Sequence, residues 1–198
     1  MRTIRAMVVA ALMMILLGSA ISALGQNAKA KTEKPTNTGT GQAYCVNTGG
    51  VVEMRRAAYG TNNPQQDWLE LDGVEYFCQY TLASDGSRIH LSLDTLFATK
   101  PTLAALAYYS LTQWNGQGNG NPASFYCTQL GGSEIGATSA AGGGWVEFGT
   151  IDEVLEACVF PDNSTVDSWG LLYHSAGITR GIDLSTVLRY KNPYTEKK

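Results

Sequence analysis

Cysteine is the residue type whose spacing carries the most chemical information in this chain of 198 residues. Cys45 and Cys78 lie 33 residues apart, and Cys127 and Cys158 lie 31 apart. Structural zinc wants close Cys/His pairs. These spacings are long and the only histidines are His90 and His174, so no metal site is expected. A hydrolase triad is not expected either. The two histidines fall at non-equivalent places, no serine stands in a Gly-x-Ser-x-Gly elbow, and both histidines are expected at the surface or half-buried. Two acidic clusters could in principle supply the carboxylates of glycoside chemistry, namely Glu70, Asp72 and Glu75, and Asp152, Glu153 and Glu156. Each stands just ahead of Cys78 or Cys158, where an exposed loop accounts for it. The glycine strings 116–120 and 142–144 lack the lysine and following helix of a phosphate loop and read as flexible connectors. No catalytic residue, metal or cofactor is expected, and the chain is read as a non-enzyme.

The cysteines belong to a repeated pattern, and repeats are the first thing to look for in a new sequence. Tyr44-Cys45-Val46-Asn47-Thr48-Gly49-Gly50 matches Tyr126-Cys127-Thr128-Gln129-Leu130-Gly131-Gly132 at an offset of 82. Cys78 is followed by the polar turn Ser84-Asp85-Gly86-Ser87, and Cys158 by Pro161-Asp162-Asn163-Ser164. Four cysteines allow three connectivities. The repeat favours Cys45 with Cys78 and Cys127 with Cys158, because each copy then closes on itself. Loops of that length stabilise by roughly 3 to 4 kcal/mol each in the chain-entropy model.

The elements that must position these residues are short. Ala43–Asn47 and Ser124–Leu130 read as helical turns ended by paired glycines, which adopt the left-handed cap conformation without strain. A strand is expected after each glycine pair. Val51–Arg56, Val74–Thr81, Trp145–Phe148 and Leu155–Phe160 read as strands. Leu93–Tyr109, interrupted at Pro101, and Thr165–Tyr173 carry apolar residues close to helical spacing. The fold class expected is α+β: two tandem small sheet-plus-helix domains, each closed by one disulfide. The boundaries are a signal peptide at 1–25, a disordered lead segment at 26–42, repeat domains at 43–114 and 121–192, a Gly/Asn-rich linker at 115–120 and a tail at 193–198.

The export signal rests on Arg2 and Arg5 ahead of an uncharged apolar run, Ala6–Leu17, and on small residues at Ala23 and Gly25. The run is shorter than the roughly 20 apolar residues of a membrane span. Cleavage before Gln26 takes two of the 14 basic residues, leaving 12 against 17 acidic ones, so the mature chain carries a net charge of −5. That surface is a poor partner for nucleic acid. Only 16% of the chain is charged, which suits surfaces that meet other protein. The expected localisation is secreted or at the cell surface. Asn163-Ser164-Thr165 is a sequon in a turn, making Asn163 a candidate glycosylation site.

Asn121-Pro122-Ala123-Ser124-Phe125-Tyr126-Cys127, then Gly131-Gly132, then Cys158-Val159-Phe160-Pro161-Asp162 and Trp169 resemble a small exported bacterial and archaeal domain of unknown function, often labelled a haemolysin. The resemblance implies a lipoprotein or secreted protein, at times with the domain duplicated, and implies no catalytic residues. Family members commonly have a further cysteine where this chain has Val166, and the first copy lacks both the Asn-Pro-Ala-Ser lead and the tryptophan. In composition and architecture the chain is also similar to the major sheath proteins of filamentous methanogenic archaea. The aromatic segments holding Tyr76, Phe77 and Tyr80 and holding Trp169, Leu171, Leu172 and Tyr173 are low in charge and fit edge-to-edge pairing between molecules. The leading expectation is a self-associating structural protein of the cell envelope, a surface-layer or sheath subunit. The alternative is a secreted soluble binding or inhibitor module of the haemolysin-labelled family.

Overall fold

The computed structural model describes residues 38–148 and 153–194, all within one compact unit. The expected signal peptide, residues 26–37 of the lead segment, Asp152 and residues 195–198 of the tail lie outside the described residues. Helix α1, Thr38–Asn47, begins inside the stretch expected to be disordered and carries Cys45. Gly49 follows at φ +89°, and Gly50 turns the chain into β1, Val51–Tyr59. Strand β2 is Leu69–Thr81, and β3 is Arg88–Ser92. The helical stretch around Pro101 divides as expected into α2, Leu93–Phe97, and α3, Leu103–Ser110. The second half runs through α4, Pro122–Gln129; β4, Gly143–Glu147; β5, Val154–Leu155; β6, Ala157–Val159; β7, Thr165–Asp167; and α5, Ser168–Ser175.

The strands of both halves form one sheet of seven in the order β5-β4-β1-β2-β3-β7-β6, every pairing antiparallel. The two small sheets expected from the repeat are therefore a single sheet. It crosses the expected boundary twice, where β1 pairs with β4 and where Leu91 of β3 pairs with Val166 of β7. Strands β5 and β6 stand at opposite ends of this order, yet Glu156 alone separates them in the chain. The sheet therefore curls until its ends meet, and the segment expected as one strand over Leu155–Phe160 serves as the closing stave, paired first to β4 and then to β7. Closure of this kind is how antiparallel sheets remove exposed edges.

Directly opposed residues share a face of a sheet. Val52, Cys78, Leu91, Val166 and Cys158 form one such row on the outer face. The helices cover that face, and the main core lies between, with Leu96, Ala105, Tyr108, Tyr126 and Leu171 in one cluster that also contains both disulfides. Cys45 joins Cys78 and Cys127 joins Cys158, each bond tying a helix to the strand beneath it, as the repeat predicted. Both cross-links are fully buried.

Three further expectations are corrected. Thr165–Asp167 is strand, because Thr165 and Val166 pair with β6, and the helix starts only after Asp167 caps it by accepting the Gly170 N–H at 2.7 Å. After Gly131-Gly132 the chain makes one bridge, Ser133 with Val159, and reaches no strand until β4. Residues 115–120 are packed rather than free. Asn115 N–H donates to Gln129, and the Gly118 backbone presses on the Phe125 ring so closely that a side chain there would collide with it.

Candidate functional site

The inner face of the curled sheet holds little apolar material: Phe77, Leu155 and Ala157, with Trp145 edge-on to Phe77 at 5.6 Å between ring centroids. Beside them lies a charged cluster built by strand alternation. Glu53 and Arg55 come from one face of β1, Gln79 from β2, His90 from β3 and Asp167 from β7. Arg55 is 0% exposed and His90 5%. The Arg55 Nε donates to Glu53 Oε2 at 2.8 Å, and its Nη1 donates to the Trp145 carbonyl at 3.1 Å. Gln79 donates to the other Glu53 oxygen. The His90 ring lies between two carboxylates, with Nδ1 3.3 Å from Asp167 Oδ2 and Nε2 3.5 Å from Glu53 Oε2.

Two nitrogens in this cluster are left over. Arg55 Nη2 sits 2.7 Å from Glu53 Oε2 but off the hydrogen-bonding axis, and it and His90 Nε2 are buried without an aligned partner. Buried polar groups are otherwise almost always satisfied, and an exception calls for an explanation. Here both belong to residues lining a cavity of about 310 Å³ at the mouth of the barrel. Arg88 and Glu153, joined through both carboxylate oxygens, and Arg180, with its guanidinium 5.1 Å over the Tyr173 ring, also face this cavity.

Glu156 stands where the cavity meets the closing stave. Its Oε2 accepts the Asn121 side-chain amide at 2.7 Å and the Trp169 indole N–H at 2.6 Å. Asn121 also caps α4 through Oδ1, which accepts the Ala123 N–H at 2.9 Å, with Pro122 at the first helical position. The Asn-Pro lead and the tryptophan thus hold one carboxylate from two helices. Measured from the paired cysteines and from the opposed Leu91 and Val166, the first half has Gly39, Tyr76 and Asp94 at these three positions. The donors and the acid are absent together. A second cleft, of about 460 Å³, lies across Glu156 and is lined by Asn62, Ser124, Phe125, Glu134 and Ser139. Burial pushes the Glu134 carboxyl above its ordinary range, against the hydroxyls of Ser124 and Ser168.

The residues weighed from sequence are redistributed by the fold. His90 is buried rather than at the surface, because β3 turns it inward. His174 is half-buried and stacks on Tyr108 at 3.7 Å, and burial lowers its pKa. Glu70, Asp72 and Glu75 lie on β2 instead of a loop, while Glu153 and Glu156 face the cavity. Burial lifts Glu75 from 4.5 to about 7, against the Tyr76 N–H that its carboxylate accepts and with help from Asp94. Gly143 and Gly144 are part of β4 and leave no room for a side chain against Ile135, Val154 and Leu155. Phe77, Tyr80 and Leu171 are buried in the molecule's own core, and Tyr76, Trp169, Leu172 and Tyr173 are half-buried. Asn163 is exposed at φ +63°. Among the described residues no three His, Cys, Asp or Glu side chains are grouped to hold a metal ion, and no helix is long and apolar enough to cross a membrane.

Sequence reasoning missed Glu53, Arg55 and Asp167. The available signal was weak: two opposite charges at alternate positions of an otherwise apolar strand, Val51-Val52-Glu53-Met54-Arg55. No curated protein and no solved structure matches the chain. Residues 118–175, which hold α4, the closing stave, Glu156, Asp167 and Trp169, match the model of a domain of unknown function (DUF333).

Proposed function

We propose that the chain is an exported, non-catalytic binding module that captures a small polar ligand at the mouth of its disulfide-braced barrel. The observation that carries this is a cavity of about 310 Å³ lined by Arg180, which has no ion pair among the described residues, and by Glu156, with the buried His90 Nε2 beside it lacking a hydrogen-bond partner. A site of that kind is what a pre-formed ligand pocket requires, with a few convergent polar groups held rigid by packing. Both disulfides are consistent with an oxidising compartment. Descent of the two halves from one duplicated unit is supported by the matching helix-to-strand disulfides and by Gly50 and Gly132, each packed against the disulfide sulfurs of its own half. The test is a ¹H–¹⁵N NMR screen of the oxidised chain against small charged and neutral metabolites. Specific, saturable shifts at the Trp169 indole and at β1 and β3 amides are expected, and a screen in which nothing moves these signals overturns the proposal.

The second reading is the self-associating envelope protein, favoured by one feature of β2. Its first half pairs with β1 on one side, while its pairing with β3 begins only at Phe77, so the outer edge from Leu69 to Val74 is open, with Leu69 60% exposed and Leu71 and Val74 also exposed. An open apolar edge invites strand addition. Glu70, Asp72 and Glu75 along the same stretch oppose pairing of two identical edges. Sedimentation velocity across a wide concentration range, with electron microscopy of cell envelopes, separates the readings. Sheets or tubes abolished by Leu71→Asp favour this second one, and a monomer at every concentration removes it.

A further inference from the structure

We infer that the barrel-mouth cavity binds a small zwitterion, a free amino acid or a molecule of that size, holding its carboxylate on the Arg180 guanidinium and its ammonium on Glu156. This rests on the binding-module reading and narrows it to one ligand chemistry. Charges of both signs line the cavity, but they are unequally available. Arg88 and Glu153 neutralise one another. Asp167 is engaged through both oxygens, Oδ1 by the Gly170 N–H at 2.7 Å and Oδ2 by His90 at 3.3 Å. Glu156 is engaged through Oε2 alone, so two N–H donors fix its orientation while Oε1 receives no donor from the described residues. On the opposite sign, Arg55 is neutralised by Glu53, 2.7 Å from its Nη2, whereas Arg180 forms no ion pair among the described residues and rests on Tyr173.

The cavity therefore presents one free oxygen of an anchored carboxylate and one unpaired guanidinium, Arg180, within about 310 Å³, near the lower end of the range for small-molecule pockets. An anion alone meets Glu156 as an uncompensated neighbour. A cation alone meets Arg180 in the same way. A molecule carrying both charges satisfies both at once, and like-charge opposition rejects the others.

Isothermal titration of the oxidised full chain with glycine, L-alanine and L-leucine, and with acetate and methylamine as single-charge probes, tests this. At least one amino acid is expected to bind about tenfold or more tighter than either single-charge probe, a difference of about 1.4 kcal/mol. Glu156→Gln, which keeps an acceptor for Asn121 and Trp169, is expected to weaken the amino acid about tenfold and to tighten acetate, because the like charge that opposes it is gone. Arg180→Ser, at the rim, is expected to weaken amino acid and acetate together. Near-UV circular dichroism and an intact-disulfide mass establish that each variant is folded, and the comparison among unmodified probes does not depend on any variant. Acetate or methylamine binding as tightly as the amino acids overturns the inference. Should none of the five bind while some other small molecule shifts the Trp169 indole signal, the zwitterion is excluded and the binding module stands. Should no small molecule of any class shift it, both fail.

Discussion

Gly50 and Gly132 show how tightly single residues are specified in this molecule. A side chain at Gly132 would run into the Sγ atoms of Cys158 and Cys127, and one at Gly50 would meet Cys78, Cys45 and the Tyr80 ring. Gly132→Ala is therefore expected to cost about 1 to 3 kcal/mol or more, the range for forced overpacking. Gly39→Ala in α1, with open space around it, is expected to be neutral or stabilising by up to about 1 kcal/mol. Urea denaturation of the two variants checks the contrast, and equal midpoints would show that the disulfide shifts freely to make room. A second residue-scale prediction concerns pH. The folded chain keeps a proton on Glu75 up to about 7, whereas the unfolded chain releases it near 4.5. Stability present below the unfolded value is thus lost as pH rises through the folded one, and Glu134, also raised, acts in the same direction. His174, whose pKa burial lowers, acts in the opposite direction over part of this range, so the comparison is between variants: from about pH 5 to about pH 8 the urea midpoint of the parent chain should fall relative to that of Glu75→Gln. A parent midpoint that keeps pace with that of Glu75→Gln would contradict the assignment.

At the scale of elements, what could be read from sequence was what neighbouring residues determine. Val51–Arg56 falls within β1, and Trp145–Glu147 of the expected Trp145–Phe148 falls within β4, while Pro101 divides α2 from α3 because it cannot continue a helix. The cysteine pairing was legible because the spacing occurs twice. Strand β3 carried a strand signal, since Arg88-Ile89-His90-Leu91-Ser92 alternates polar and apolar residues, but it is short and runs directly into α2. His90 reads as a surface residue until Asp167, 77 positions away, is brought beside it. Glu156 reads as a loop acid for the same reason, as its donors come from two helices and its place in the barrel depends on both neighbouring strands. Those donors make a testable unit. Asn121→Ala removes the α4 cap, worth about 1 kcal/mol, and one of two N–H donors to Glu156. Trp169→Phe removes the other donor. Because the two share one acceptor, their costs are expected to be non-additive by at least about 0.5 kcal/mol in a double-mutant cycle. Strict additivity would mean that Glu156 is held by something else.

For the whole molecule, the question is whether the two halves are separable, and the sheet gives a definite answer. Residues 43–114 contain β1 to β3, and residues 121–192 contain β4 to β7. Cutting between them strips β1 of its pairing with β4 over Arg55–Tyr59 and β3 of its contact with Val166. It also exposes the inner face, leaving Glu53, Arg55 and His90 in one fragment and Asp167 in the other. Fragments of about 70 residues are marginal even with an intact core and a disulfide. Neither half expressed alone is therefore expected to unfold cooperatively as a monomer, although each can close its own disulfide. Mixed under oxidising conditions, the halves are expected to form a one-to-one complex, with near-UV circular dichroism like that of the intact chain and with the inner-face amides protected from hydrogen exchange. A monomeric, cooperatively folded 43–114 would mean that the sheet is two sheets placed in contact. The cavity at its mouth would then be an interface between domains rather than the interior of one barrel.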